Sequence, residues 1–151
     1  MDHQRQNELI VEQFSAQAAP FAEYAPHSDA EAMRLVREAA GIGPGDIDVA
    51  QLYENFTGQV LMTIEDFGFC AKGEGGPFVE GGTLEWPHGG LPINTAGGNL
   101  AEGYIHGLSL VNEGVRQLRG TSTSQVDGAE HCLVVAGPSA PPSSALILRR
   151  S

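Results

Sequence analysis

The stretch Asn94-Thr95-Ala96-Gly97-Gly98-Asn99-Leu100-Ala101-Glu102-Gly103-Tyr104-Ile105-His106-Gly107 decides how this chain is read. Its paired glycines carry no Cβ, so backbone can come close to a bound group, and they deliver the next helix's N-terminus as a positive, donor-rich end. Downstream, Leu100, Tyr104, Leu108, Val111, Val115 and Leu118 recur every three or four residues, which predicts one helix over residues 99–119, capped by Gly120. Upstream, residues 71–99 hold much glycine and little periodicity. They read as a long loop, which inside a compact domain is functional or mobile.

Further out, Val60, Leu61, Ile64 and Phe67 fall at helical spacing, so a buried helix is expected from Thr57 to Phe67, stopping at Gly68. Before it, DIDVAQLY (residues 46–53) reads as a short strand through Ile47, Val49 and Leu52. Ser28 and Glu31 form a capping-box pattern that opens a helix over Asp29 to Ala40, with Met33, Val36 and Ala40 on one face. Gly41, Gly43, Pro44 and Gly45 end it. Leu9, Ile10 and Phe14 suggest a short amphipathic helix, and Pro20 and Pro26 leave PFAEYAP extended. The tail holds two strands, HCLVVA and SALILRR, separated by GPSAPPS. Helix, strand, helix, loop, helix, strand, strand is the order of an α/β layered domain.

The 151 residues suit one compact domain, and 41% hydrophobic with 18% charged residues is a composition that folds. Eight Lys+Arg against 19 Asp+Glu give a formal charge of −11. No cationic cluster tracks phosphate, so nucleic acid is excluded as a partner, and an anionic membrane surface is unattractive. No stretch reaches the ~18 apolar residues that span a bilayer. The polar N-terminus lacks a secretory h-region, and two cysteines without a Cys-x-x-Cys neighbour fit a reduced interior, so a cytoplasmic location is expected.

Several residues could carry chemistry. Tyr53-Glu54-Asn55-Phe56 lies where strand gives way to helix, facing the crevice at the sheet's C-terminal edge where open α/β sheets bind ligands. On residue chemistry alone Tyr53 and Tyr104 stay open, because a tyrosine packs its ring in a core as readily as it serves a site. His106, two residues past Tyr104, falls on a different face of the expected helix. Glu54 reads equally as a solvated strand-end charge or as an orienting group. Cys70 and Cys132 read as small buried hydrophobes. The five histidines, His3, His27, His88, His106 and His131, show no ligand spacing, so no metal is expected. The glycine-rich residues 73–82 lack the Gly-Lys-Ser/Thr ending of a phosphate loop. Ser139, Ser143 and Ser144 have no assignable triad partner.

With these motifs laid out, a resemblance becomes specific. NTAGGNLAEGYIHG resembles the thiolase superfamily's Asn-x-x-Gly-Gly-x-x-Ala-x-Gly-His-Pro segment, with Tyr104 where the histidine would stand and Ile105 where the proline would. YENF is similar to the family's Asn-Glu-Ala-Phe motif, with Tyr53 at the asparagine. GFCAKGEGGPFVEGG and the closing HCLVVAG…SALIL resemble the sterol-carrier/lipid-transfer branch. Aligned on Gly137, Val135 stands where that family's second cysteine would be, and Cys132 comes three residues too early. With histidine, asparagine and cysteine all replaced, the chain resembles the branch's steroid side-chain aldolases, called Ltp2-like, in which two tyrosines are implicated in retro-aldol cleavage.

The resemblance implies an α/β fold that is half of a thiolase fold, a mixed sheet layered with helices, incomplete beside the family's two-half architecture. It covers residues 30–151, with residues 1–29 as an N-terminal extension. Residues 2–40 themselves resemble the opening of a class I methyltransferase-like protein. Carried over, the family's roles make Tyr53 and Tyr104 catalytic and place Asn94, Gly97, Gly98 and His106 at the substrate. That substrate would be a β-hydroxyacyl-CoA with a steroid or other bulky acyl group, the CoA thioester being substrate and no cofactor being tightly bound. A tyrosine with an ordinary pKa near ~10 serves as base only if that value falls or a proton relay assists. Implied partners are a thiolase-fold chain or a second copy, and a zinc-ribbon/OB-fold (DUF35-like) protein. The rival readings are a non-catalytic lipid-binding or assembly module, an inactive truncated remnant, and an acyl-CoA acyltransferase. The missing His and Cys count against the last.

Overall fold

A computed structural model describes Arg5, residues 30–136 and residues 144–151. The expected helix around Leu9, Ile10 and Phe14, the extended PFAEYAP segment, the capping residue Ser28 and the GPSAPPS segment lie outside the described residues.

Strand β1, Val49–Leu52, is buried along its whole length. Such a strand alternates between two apolar layers rather than between core and water. Parallel to it runs β2, His131–Ala136, in the register Val49↔Cys132 to Leu52↔Val135. Strand β3, Ser144–Arg149, returns antiparallel to β2, giving a three-stranded mixed sheet in the order β1-β2-β3. The period of two then divides the core. Ala50, Leu52 and Leu133 face Val60, Ile64, Phe67 and Leu91 on one side. Val49, Cys132 and Val134 face Leu110 and Leu118 on the other, together with Tyr53. Each Leu, Ile or Phe so buried contributes about 1.5–3 kcal/mol.

Helix α1 spans Ala30–Ala40 and ends at Gly41, whose φ of +70° suits glycine. Of the face expected on it, Val36 is half-buried but Ala40 is exposed. Arg37 instead reaches across to donate to the Phe67 carbonyl. The strand expected from Asp46 begins later, because Pro44–Asp46 form a 3-10 turn. Helix α2, Thr57–Asp66, lies where the apolar spacing places it and stops before Gly68 at φ +78°.

Two expectations are corrected. Residues 71–99 are not structureless. They contain α3, Gly75–Val79, a 3-10 turn at Glu80–Gly82, and a bridge in which Ile93 pairs with Ala50 alongside β1. Leu91 is buried, and Phe78, Val79 and Leu84 pack on the same core. Nor is 99–119 one helix. It is α4, Gly98–Ala101, then a break, then α5, Leu108–Arg119. The break is set by backbone: Glu102 turns extended, and His106 and Gly107 take φ of +52° and +87°. Leu100, Tyr104 and Leu108 are therefore exposed rather than on a buried stripe. What α5 buries is Ser109, Leu110, Glu113, Gly114, Gln117 and Leu118. Gly114 brings the helix close to the sheet, since a Cβ there would stand 3.0 Å from Val134 Cγ2 and 3.1 Å from Cys132 Sγ.

Candidate active site

Tyr53 follows β1 directly, and its N–H extends the ladder by donating to the Val135 carbonyl at 3.0 Å. Val135, the residue that the resemblance sets at the family's second cysteine, thus abuts the tyrosine. The Tyr53 ring is 4% exposed and lies under Gly107, where a Cβ would stand 3.2 Å from Tyr53 Cδ2. Only a residue without a side chain, at positive φ, lets the α4–α5 break cross that ring.

The break carries Tyr104 over the strand end. Its hydroxyl and that of Tyr53 share a hydrogen bond. The two rings stand edge to face with centroids 6.4 Å apart. Tyr104 is 55% exposed, so the pair runs from the interior to the surface. The two hydroxyls meet directly, with no space between them for a substrate group or water. Tyr53's pKa is pushed up to about 12, first by the hydrogen bond with Tyr104, then by burial and the nearby Glu54 charge. Tyr53 accordingly holds its proton and is no free phenolate base.

His106 does not face away from Tyr104, as helical spacing predicts. The left-handed turn at His106 swings its ring beside Tyr104, with centroids 5.1 Å apart and planes at 66°. It is exposed.

Asn94, expected at the substrate, has its amide engaged elsewhere. Its Oδ1 accepts Leu52 N–H at 2.8 Å and its Nδ2 donates to the Leu52 carbonyl at 3.0 Å, continuing the sheet ladder with a side chain. It does so at φ +46°, a conformation that asparagine tolerates. The Gly97 N–H closes a turn on the Asn94 carbonyl at 2.7 Å. Gly97 and Gly98, at φ +88° and +64°, have no room for a Cβ: it would overlap Ala101 Cβ at the first and Glu54 Oε1 at the second. Glu54 is an orienting group. It accepts the Asn99 N–H that opens α4 and the side-chain amides of Asn94 at 3.3 Å and Asn99 at 3.2 Å.

Neither thiol competes for a role here. Burial pushes Cys132 up to about 12, with Glu113 and Asp48 adding to it, and burial likewise raises Cys70. Both are free cysteines. Among the described residues no group of three or more His, Cys, Asp or Glu could hold a metal, and no helix is long and apolar enough to cross a membrane. Residue chemistry alone missed Gly107, Asn99 and the buried Glu113. The available signal was Gly103 and Gly107 bracketing Tyr104, a spacing that interrupts a helix.

A mixed sheet covered on both faces, with a glycine-turn segment over its strand ends, defines the class, and the chain belongs to the thiolase C-terminal domain-like family, whose model matches residues 12–150. That match begins inside the stretch set apart as methyltransferase-like, and the comparisons give the methyltransferase likeness no support. Among curated relatives, the chain is 51% identical over 109 residues to a 17-hydroxy-3-oxo-4-pregnene-20-carboxyl-CoA lyase of Mycobacterium tuberculosis, covering 72% of this chain and 28% of that one. It is 48% identical over 109 residues to a steroid side-chain-cleaving aldolase of Thermomonospora curvata, covering 72% and 27%. It is 37% identical over 107 residues to sterol carrier protein 2 of Rattus norvegicus, covering 68% and 19%. A solved Ltp2-ChsH2(DUF35) aldolase superposes with a TM-score of 0.75 at 43% identity, covering 80% of this chain and 31% of that one. The chain thus spans under a third of the relatives it matches.

Proposed function

We propose that this domain is the proton-transfer half of a retro-aldolase acting on a β-hydroxyacyl-CoA with a steroid-like acyl group. The observation that carries the reading is the shared hydrogen bond of Tyr53 and Tyr104, in a chain about half identical to a carboxyl-CoA lyase and a side-chain-cleaving aldolase. The chemistry needs the β-hydroxyl proton removed as the Cα–Cβ bond breaks, leaving a carbonyl product and a thioester enolate that takes up a proton. Two neutral phenols in contact suit a relay. In one concerted circuit the exposed Tyr104 hydroxyl takes the substrate proton as its own passes to the Tyr53 oxygen, and the proton that Tyr53 held moves on to the enolate, so each phenol gains one proton, loses one and ends neutral. With its pKa pushed up to about 12, Tyr53 enters the circuit as the neutral phenol.

Asn94, Gly97 and Gly98 serve in this reading as the frame that shapes the segment under Tyr104, and His106 as the ring beside it. CoA is held largely by a thiolase-fold first half, and a DUF35-like chain is the proposed partner, on the strength of the solved complex that the domain resembles. One observation favours a second reading, a lipid-binding or assembly module: Phe56, Leu100, Ile105 and Leu108, within four residues of Tyr53 or Tyr104 in the chain, are exposed.

A chimera tests the first reading. Residues 30–151 replace the matching region of the Thermomonospora curvata aldolase, and cleavage of a β-hydroxyacyl-CoA is followed by thioester and carbonyl product release. Turnover that disappears with Y104F supports it. A folded chimera that binds the acyl-CoA but never cleaves it supports the module instead.

A further inference from the structure

We propose that Glu113 is a positioning residue for Tyr104, its buried carboxyl group holding the segment that carries the tyrosine at two points. The inference rests on the reading of Tyr53 and Tyr104 as the reacting pair. Glu113 lies on α5, remote in sequence from the glycine turn, and is 2% exposed. Its Oε1 accepts the Thr95 hydroxyl at 2.6 Å, Gln117 Nε2 at 3.0 Å and the Ser122 hydroxyl at 2.7 Å. Thr95 is the first fixed point, directly after Asn94 and just before Gly97 and Gly98. Glu113 Oε2 lies 3.8 Å from Arg116 Nη1, and the same nitrogen donates to Glu102 Oε1 at 3.1 Å. Glu102 is the second fixed point, two residues before Tyr104.

A core that needed only volume would not be built this way. Burying a carboxyl group is costly unless donors surround it, and an apolar side chain of that size avoids the cost. The arrangement has a further cost on β1. The Thr95 hydroxyl gives its one hydrogen to Glu113, so Gln51 and Gln117 must donate to it, at 3.1 and 2.9 Å. That orientation leaves the Gln51 Oε1 buried without a partner. The network therefore ties the glycine turn to both β1, two residues before Tyr53, and α5, which starts four residues after Tyr104. An unsatisfied buried atom is tolerated where geometry is the product.

The test uses the full chain labelled with carbon-13 at tyrosine Cζ, a nucleus sensitive to the phenol's hydrogen bond. Tyr24, Tyr53 and Tyr104 give three resonances, assigned by single Phe variants. Y104F is expected to shift the Tyr53 resonance, which marks the pair. T95V and E113Q are then expected to shift it in the same direction, and T95S, which keeps the hydroxyl, to leave it in place. V60A, on the opposite face of the sheet, is expected to lower Tm without moving the resonance. The proposal is overturned if a folded T95V or E113Q leaves Tyr53 at its wild-type position, or if V60A moves it as far. A Tyr53 resonance indifferent to Y104F removes the pair itself and overturns both this inference and the catalytic reading. Loss of chimera turnover with the shifts intact counts against the catalytic reading alone.

Discussion

Tyr53, at the end of a buried strand, hydrogen-bonds through its hydroxyl to that of Tyr104, 51 positions later in a left-handed break between two helices. The bond and the burial favour the neutral phenol, so Tyr53 titrates near 12 in the fold and near 10 when unfolded. Between those values the unfolded chain has lost a proton that the folded chain keeps, and stability falls as pH rises. Cys132 acts in the same sense from pH 9 upward, since its thiol is raised to about 12. As pH rises from about 9 to 12, denaturant midpoints should decline. Y53F should flatten the part above pH 10, and an unchanged decline in Y53F would show that Tyr53 is not held this way.

Gly98 offers a sharper steric test. An alanine there is forced into φ +64° and overlaps Glu54 Oε1, with Glu54 Cδ 2.8 Å away. Gly98→Ala should cost about 1–3 kcal/mol of stability. Adding Glu54→Ala removes the clash and leaves the backbone strain, so the double variant should lose less than the two single losses added together. Strictly additive losses in urea melts would mean that Glu54 does not lie against the glycine.

Helix α2 was legible in the sequence because its apolar spacing and its burial coincide: Val60 and Ile64 are both buried. The same rule misled at residues 99–119. There the periodic Leu100, Tyr104 and Leu108 are on the surface, while α5 buries Glu113 and Gln117 in a polar network that no hydrophobic pattern marks. The folded part of residues 71–99 was hidden for a related reason, since Leu91 and Phe78 join the core from short, glycine-interrupted turns without a period. In the site, motif likeness singled out Tyr53, Tyr104 and Asn94 alike, without showing what Asn94's side chain bonds. Its amide mimics a strand partner for Leu52, a role that depends on a turn geometry invisible in residue type.

Phe56, Leu100, Tyr104, Ile105 and Leu108 are 57%, 90%, 55%, 49% and 56% exposed, each within four residues of Tyr53 or Tyr104 along the chain. Apolar surface of that kind is uncommon on soluble monomers and is normally covered. A polypeptide of these 151 residues alone should therefore self-associate, and L100E with L108E should return it toward monomer. Sedimentation velocity reads this directly. A single monomeric boundary at tens of micromolar wild-type protein would go against it.

The same polypeptide alone should not turn over a β-hydroxyacyl-CoA, because the domain spans under a third of the chains it resembles and, on the proposed reading, a thiolase-fold first half holds most of the CoA. Assays with and without a thiolase-fold first half added in trans check this. Cleavage by the isolated polypeptide at the rate of the complemented one would refute it.

The relay is tested most directly by single-turnover cleavage in the folded chimera with Y53F, Y104F and the double variant. Each single change breaks the same chain of proton transfers, so each should slow the chemical step by about 10²–10⁴-fold. The double variant should be scarcely slower than either, since residues acting as one unit are non-additive. Acyl-CoA binding should stay within a few-fold of wild type in all three. Single variants that cleave at the wild-type rate, or a double variant whose loss is the full product of the two, would contradict a proton relay through Tyr53 and Tyr104.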